Sequence, residues 1–384
     1  MKKDLADVCN YLKELVIADT PDDFVIAKPF THGLSNDELK RGISAFRAFL
    51  HELYDKMAAD KDKLDAAKAK KYDPESGEDS IQKCFPVIND IAVKLSTLGL
   101  HGRLETEPKM MLIVSGSDLL TPLSDTKPAA MNKISNKRKQ EMFNYLSEAG
   151  FYFEDLNLSE SIDFSKVGTF YVTYENDDYV ILGLKLLAEA KENIKSGYQK
   201  FTTTFMRGDF YSLASSAPVK HMANAAEFAN SQPPDLKSWI ICLEKFLMDN
   251  GCKIVTFSLS NTNGGGSFAY ASRKSNRTVC RINMGISGSE IVLKGNHFGD
   301  KNNILSELPE SMLNVVKSVR GCGDCEARNP DTFKYCRHGG AYKFSYDGSD
   351  YECCVFEGYT FSLSEASAEE RELLKKWIRY ELGV

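Results

Sequence analysis

The sequence predicts an α+β protein: N-terminal helices, a central α/β module, and a C-terminal antiparallel meander with flanking helices and a cysteine knuckle. Three observations carry that reading. Between residues 36 and 57 the apolar positions Leu39, Ile43, Phe46, Leu50, Leu53 and Met57 recur in alternating steps of four and three, the spacing that lines one side of a helix. After Ser231-Gln232-Pro233-Pro234, the clearest boundary in the chain, an apolar helical pattern gives way to four strand signals separated by turn sequences. The tail then adds a hairpin signal and a last amphipathic helix, so that helices and strands come in blocks, as in a sheet covered by helices.

Taken in order, residues 4–18 put Leu5, Val8, Leu12 and Leu15 on one face of a short helix, stopped by Thr20-Pro21. A second helix starts with Ser35 or Asn36 as its cap and Asp37 and Glu38 in its first turn. Its seam suits packing against the first helix or the next domain, with self-association through 36–57 as the other reading. Beyond Met57 the apolar stripe fades into a linker broken at Pro74 and Gly77, which closes a helical region at 1–74.

The central module spans 85–200. Phe85-Pro86 opens a helix through Val87, Ile88, Ile91, Leu95 and Leu98, closed at Gly99. A strand at 109–114, a loop at 115–128 and a helix at 135–149 ended by Gly150 follow. Phe170, Val172 and Tyr174 alternate as in a strand, and 179–195 reads as a largely apolar helix. A connection at 201–234 holds TTTFMRGDFYSL, a strand or extended link, and HMANAAEFA, a short helix.

The C-terminal domain, 235–384, begins with a helix at 235–250 that buries Leu236, Trp239, Ile240, Leu243, Phe246 and Leu247. Strands follow at 253–259, 267–273, 279–284 and 290–294, then a helix at 305–319. A hairpin turns at Tyr346-Asp347-Gly348-Ser349, a strand runs through Tyr359 and Phe361, and a helix from Ala368 buries Leu373, Leu374, Trp377 and Ile378.

Composition narrows the function classes. A chain of 384 residues is long enough for two or three domains. Its net charge of −6 argues against a nucleic-acid coat, which needs a basic surface. No window approaches the roughly 18 apolar residues of a membrane helix. Asp4, Asp7 and Glu14 interrupt the first apolar stretch, which therefore reads as a helix and not as a signal peptide. The cytosol is then the expected compartment, where cysteines stay reduced or bind metal. Cys9, Cys84, Cys242, Cys252 and Cys280 are scattered and read as small core residues.

The chemical signature lies between 322 and 354. Cys322 and Cys325 form a Cys-x-x-Cys pair, Cys336 follows, and Cys353 and Cys354 are adjacent at the end of the hairpin. Tetrahedral zinc takes four soft ligands, and a Cys-x-x-Cys turn supplies two of them. Cys336 is the natural third. The fourth is Cys353, Cys354 or His338, because consecutive strand residues face opposite ways. Reduced core cysteines and a redox-active Cys322–Cys325 pair are the alternatives. The redox reading lacks the usual placement of such a pair before a helix N-terminus, where the dipole lowers the thiol pKa.

Other features are weaker. The basic run at 133–139 is a candidate phosphate patch, or the solvated start of a helix. Asn263-Gly264-Gly265-Gly266 lies between two strands without a following Lys-Ser/Thr, so it reads as a hairpin turn. No Gly-x-Ser-x-Gly elbow, His-Glu-x-x-His or EF-hand loop is present. His221 and His297 are dispersed candidates for lining a cleft. Met206-Arg207-Gly208-Asp209-Phe210 sets a cation and an acid beside aromatics, as a buried ion pair between domains or a ligand clamp would.

Two stretches, KQEMFNYLSEAGFYFEDLNL and TFYVTYENDDYVILGLKLLAEA, together with the terminal cysteine pattern and Gly348-x-x-Tyr351-x-x-Cys354, carry a resemblance. They resemble a group of cytoplasmic Firmicutes proteins, over about residues 85–384, and that group brings no established activity. The order of elements in the C-terminal domain is also loosely similar to YjbR-like domains, some of them suspected of binding DNA; this is analogy of fold alone. The expectation is a bacterial, non-enzymatic binding or regulatory protein with a zinc-stabilised C-terminal domain. A thiol-dependent redox enzyme or sensor and a nucleic-acid-associated protein are the alternatives.

Overall fold

The structure, a computed structural model, describes residues 4–17, 20–66, 84–121, 134–193, 205–214, 224–259, 265–295, 304–318, 341–354 and 358–384. Helices and antiparallel sheets build an α+β fold, helical toward the N-terminus and strand-rich toward the C-terminus. The chain divides into two units, Met1–His221 with Leu259–Gly264 and Met222–Ser258 with Gly265–Val384. The N-terminal helices thus share a unit with the module at 85–200.

In the first unit, α1 (Leu5–Glu14) starts at Asp4, whose side chain accepts from the N–H groups of Ala6 and Asp7 while Asp7 accepts from that of Asp4. α2 (Asn36–Ala59) starts with the same reciprocal cap between Ser35 and Glu38, and the short α3 (Lys61–Ala66) follows it. Ser35 is therefore the cap, and Asn36 instead ties Ile26 and Phe24 of the preceding loop. All six seam positions of α2 are buried within this chain, as are Phe49 and Tyr54 beside them. The buried face is wider than a coiled-coil seam and packs on α1 and on α6 (Tyr179–Asn193). The seam at 36–57 is consumed by this packing, which leaves none of it for a second copy.

α6 is buried almost all round from Val180 to Ala190, as befits a helix that packs against α2, α4 (Phe85–His101) and two strands. Glycines set the two closest crossings. A Cβ on Gly183 would stand 2.0 Å from the Gly42 carbonyl oxygen, and one on Gly99 2.5 Å from that of Leu184. Gly99 is thus a contact point inside α4 and not its end; the helix continues to His101, where Lys185 donates to the carbonyls of Leu100 and Gly102.

Four antiparallel strands complete this unit: β1 (Arg103–Glu105), β2 (Met111–Ser115), β3 (Phe151–Glu154) and β4 (Thr169–Tyr174), in the order β1-β2-β4-β3. Leu112, Val114, Phe151, Phe153, Phe170 and Val172 are buried. α4 and α6 pack on β2, and α5 (Asn136–Glu148) on β3. β1 and β3 are additions to the sequence reading, each too short to show a clear alternation. The 205–214 segment, read as a strand or link, is a buried turn leading into a short 3-10 stretch at Tyr211–Ala214. Arg207 donates to the Leu15 carbonyl, Arg47 to that of Ile17, and Tyr54 to that of Met206. The MRGDF motif therefore closes the end of α1 within one unit.

In the second unit, β5 (Cys252–Leu259), β6 (Gly266–Ser272), β7 (Thr278–Gly285), β8 (Gly288–Leu293) and β11 (Tyr359–Ser362) form a five-stranded sheet, ordered β11-β8-β7-β6-β5. β9 (Ala341–Tyr346) and β10 (Ser349–Cys354) form a separate hairpin. Its turn residues Asp347 and Gly348 both have positive φ, 50° and 74°, the two-residue turn that matches strand twist. α7 (Ala225–Phe228) and α8 (Pro234–Asp249) precede the sheet. The helix expected at 305–319 is a 3-10 turn, Leu305–Glu307, and then α9 (Glu310–Ser318), because Pro309 between them has no N–H to donate. α10 (Ala368–Leu382) buries Trp377, whose ring lies 5.5 Å from Tyr359 and 5.7 Å from Phe361 and whose N–H donates to the Lys294 carbonyl. Leu373 is only half-buried, as are Trp239 and Phe246 of α8.

Candidate functional site

Cys322, Cys325, Cys336 and His338 lie outside the described residues, as do His221 and His297. Cys353 and Cys354 end β10, where Cys353 pairs with Tyr342 and Cys354 with Ala341. Among the described residues no group of three or more His, Cys, Asp or Glu is placed to hold a metal ion. Of the five scattered cysteines, Cys9, Cys84, Cys252 and Cys280 are buried, as expected for core residues. Cys242 is exposed, because it falls on the outer side of α8. Burial pushes the Cys252 thiol up to about 11 and holds that of Cys280 well above its ordinary value, so neither supplies a thiolate at neutral pH.

The basic run at 133–139 does not present a row of free cations. Lys133 is outside the described residues. Arg138 is held by Asp90 at 3.2 Å and by Glu141 at 3.4 Å. Lys139 is only 4% exposed and donates to the Asn136 side chain at 3.1 Å. Burial lowers its pKa, the opposite of what a phosphate-binding lysine requires.

The residues that do surround an open space come from four separated segments of the first unit. β4 ends at Tyr174, and the run Glu175-Asn176-Asp177-Asp178 turns the chain into α6. Asp177 accepts from the Tyr179 N–H at 3.0 Å and so caps α6. Asp178 accepts from the Met110 N–H at 3.1 Å, which fixes the corner holding Lys109. From α2, Arg41 lies 3.8 Å over the Tyr179 ring, with Asp177 4.0 Å away. A guanidinium held this way is pinned by stacking while its edge faces water.

β3, paired with β4, adds to the lining, and its Tyr152 is 60% exposed. Gly150 just before it has φ +101°, and a Cβ there would stand 2.9 Å from the Tyr174 ring. The Gly150 carbonyl accepts from the Glu175 N–H at 3.0 Å. Burial pushes the Tyr174 hydroxyl up to about 12, and it makes a long 3.5 Å bond to Glu52. The resulting cleft has a volume of about 910 Å³ and is lined by Arg41, Lys109, Tyr152, Tyr174, Glu175 and Asp177 among others. A smaller hollow of about 340 Å³ adjoins it and shares Ser147, Gly150, Tyr174, Glu175 and Asn176 as lining.

Sequence reasoning assigned none of these residues a role. The one available signal was the acidic run between a strand and a helix, which is common to ordinary helix caps. Among the described residues, no helix is long and apolar enough to cross a membrane. No family model matches the chain, and no solved structure matches it.

Proposed function

We propose that the chain is a cytoplasmic, non-enzymatic binding or regulatory protein whose first unit holds a ligand in the cleft and whose second unit carries a zinc-clamped tail. The cleft supports the binding half of this reading. At about 910 Å³ it falls within the roughly 300–1,000 Å³ of small-molecule sites. It combines a pinned guanidinium, carboxylates and an exposed aromatic ring, groups that orient a polar ligand.

Hairpin register supports the zinc half. Ala341 stands opposite Cys354, and Cys336 and His338 precede Ala341 by five and three residues (341 − 336 and 341 − 338). With at most ~3.6 Å of reach per residue, they are tethered within about 18 and 11 Å of that strand end. Cys353 and Cys354 are at that end already, and Cys322-x-x-Cys325 supplies the pair that a tetrahedral site needs.

Metal analysis of the purified full chain tests the zinc reading. The expected result is about one zinc per chain, with loss of the metal and a loosened second unit in Cys322→Ser and Cys336→Ser. A folded, metal-free protein whose Cys322 or Cys325 is alkylated by a mild reagent at neutral pH ends that reading in favour of a thiol redox protein.

A further inference from the structure

The cleft and the hollow beside it carry charges of both signs. The basic groups Arg41 and Lys109 line only the larger hollow, Glu52 lines only the smaller one, and Glu175 lines both. The remaining charged groups have partners within the protein. Asp177 caps α6 beside Arg41, and Asp178 accepts from the Met110 N–H. Glu148 is paired with Lys63 at 2.7 Å and with Lys56 at 3.5 Å, and Lys56 also with Asp60 at 2.9 Å. Arg41 and Lys109 on the side of the larger hollow, and Glu175 and Glu52 on the side that reaches the smaller one, are all exposed, and the contacts of Arg41 with Asp177 (4.0 Å) and of Glu52 with the Tyr174 hydroxyl (3.5 Å) are long, so all four can meet a ligand.

We propose that this cleft takes a short peptide with free termini, its carboxylate at Arg41 and Lys109 and its ammonium at Glu175 and Glu52. The proposal rests on the reading of the cleft as the ligand site, and adds the ligand's class. Arg41 is held by Tyr179 before any ligand arrives, so little ordering is needed to present its two-pronged edge to a carboxylate. The exposed Tyr152 ring also lines the larger hollow, a flat surface for the peptide planes and side chains. A single anion would leave Glu175 and Glu52 facing it unpaired, and a single cation would meet Arg41 and Lys109. Only a ligand of both signs matches both ends. Two adjoining hollows of about 910 and 340 Å³ favour a peptide of several residues over a free amino acid.

Calorimetric titration of the full chain with trialanine tests this, alongside its N-acetylated and C-amidated forms. Trialanine with free termini binds, and blocking either end weakens binding by about fivefold or more. Arg41→Ala weakens trialanine and the acetylated peptide but leaves the amidated one unchanged. Glu175→Gln weakens trialanine and the amidated peptide but leaves the acetylated one unchanged. Both positions are exposed, and a far-UV spectrum like that of the parent confirms that the variants fold. Absence of binding by any of the three peptides overturns the proposal. If the acetylated peptide binds as tightly as the free one, the cleft stands as an anion site and the peptide class falls. Binding that neither substitution alters places the ligand elsewhere and removes the cleft reading itself.

Discussion

Glu244 is a buried acid on the apolar side of α8, only 7% exposed. Its carboxylate accepts from the N–H groups of Ala225 and Ala226, at 3.3 and 2.8 Å, and from the Tyr270 hydroxyl. Burial raises its pKa, with the Glu227 charge adding to the rise, and outweighs the lowering by those three hydrogen bonds. A carboxyl raised in the folded state holds its proton more tightly there than in the unfolded chain. Its contribution to stability is therefore full below the unfolded pKa and is lost as pH climbs through the folded one. Glu244→Gln removes that titration while keeping an acceptor for Ala226. The stability of the natural protein relative to Glu244→Gln should therefore fall from pH 4 to pH 7, measured by urea unfolding at each pH. A flat difference would show that the hydrogen bonds cancel the burial. The position was legible in principle, since 244 follows Ile240 by four and precedes Leu247 by three, on the same stripe. Polarity hid it, because a glutamate in a helix reads as solvent-facing unless its partners, here 19 and 26 residues away in sequence, are known.

At the scale of elements, the contact between α2 and α6 is the one that a single methyl group should break. Gly183→Ala drives a Cβ to 2.0 Å from the Gly42 carbonyl oxygen and 2.5 Å from the Phe46 Cβ. Both obstacles are fixed to helix backbone, so the helices must separate, at a cost of about 3 kcal/mol in the range of severe overpacking. Gly168→Ala is the control. It meets nothing within 4 Å and should change stability by less than about 0.5 kcal/mol. Chemical denaturation of the two variants compares them directly, and equal stabilities would mean that α2 and α6 do not cross so closely. The existence of α2, α6 and α10 could be read from apolar period and capping residues, which are local. Their partners could not. Gly99 read as a helix stop because a glycine ends helices more often than it lets two of them approach, and only the carbonyl of Leu184 facing it tells the two apart. The cleft was invisible for the same reason, since Arg41, Lys109, Tyr152 and Glu175 are brought together by strand order and not by spacing along the chain.

Each of the two units buries its own apolar core, and this has a consequence for the chain as a whole. Units with separate cores are expected to lose structure in separate steps unless something couples them. The protein carries its own reporter, because both tryptophans, Trp239 and Trp377, belong to the second unit. Trp377 is 1% exposed among Tyr359 and Phe361, so its fluorescence follows the packing of α10 on the sheet. Far-UV circular dichroism, by contrast, sees the helices of both units. Gly183→Ala should therefore shift part of the dichroism transition to lower denaturant and leave the fluorescence transition where it was. With the proposed zinc bound, a chelator should do the reverse, lowering the fluorescence midpoint while the α2–α6 part of the dichroism signal holds. A fluorescence midpoint that moves with Gly183→Ala would mean that the chain unfolds as one cooperative body. In that case a ligand in the cleft and a metal at the cysteines would stabilise the same transition, and their effects on it would add.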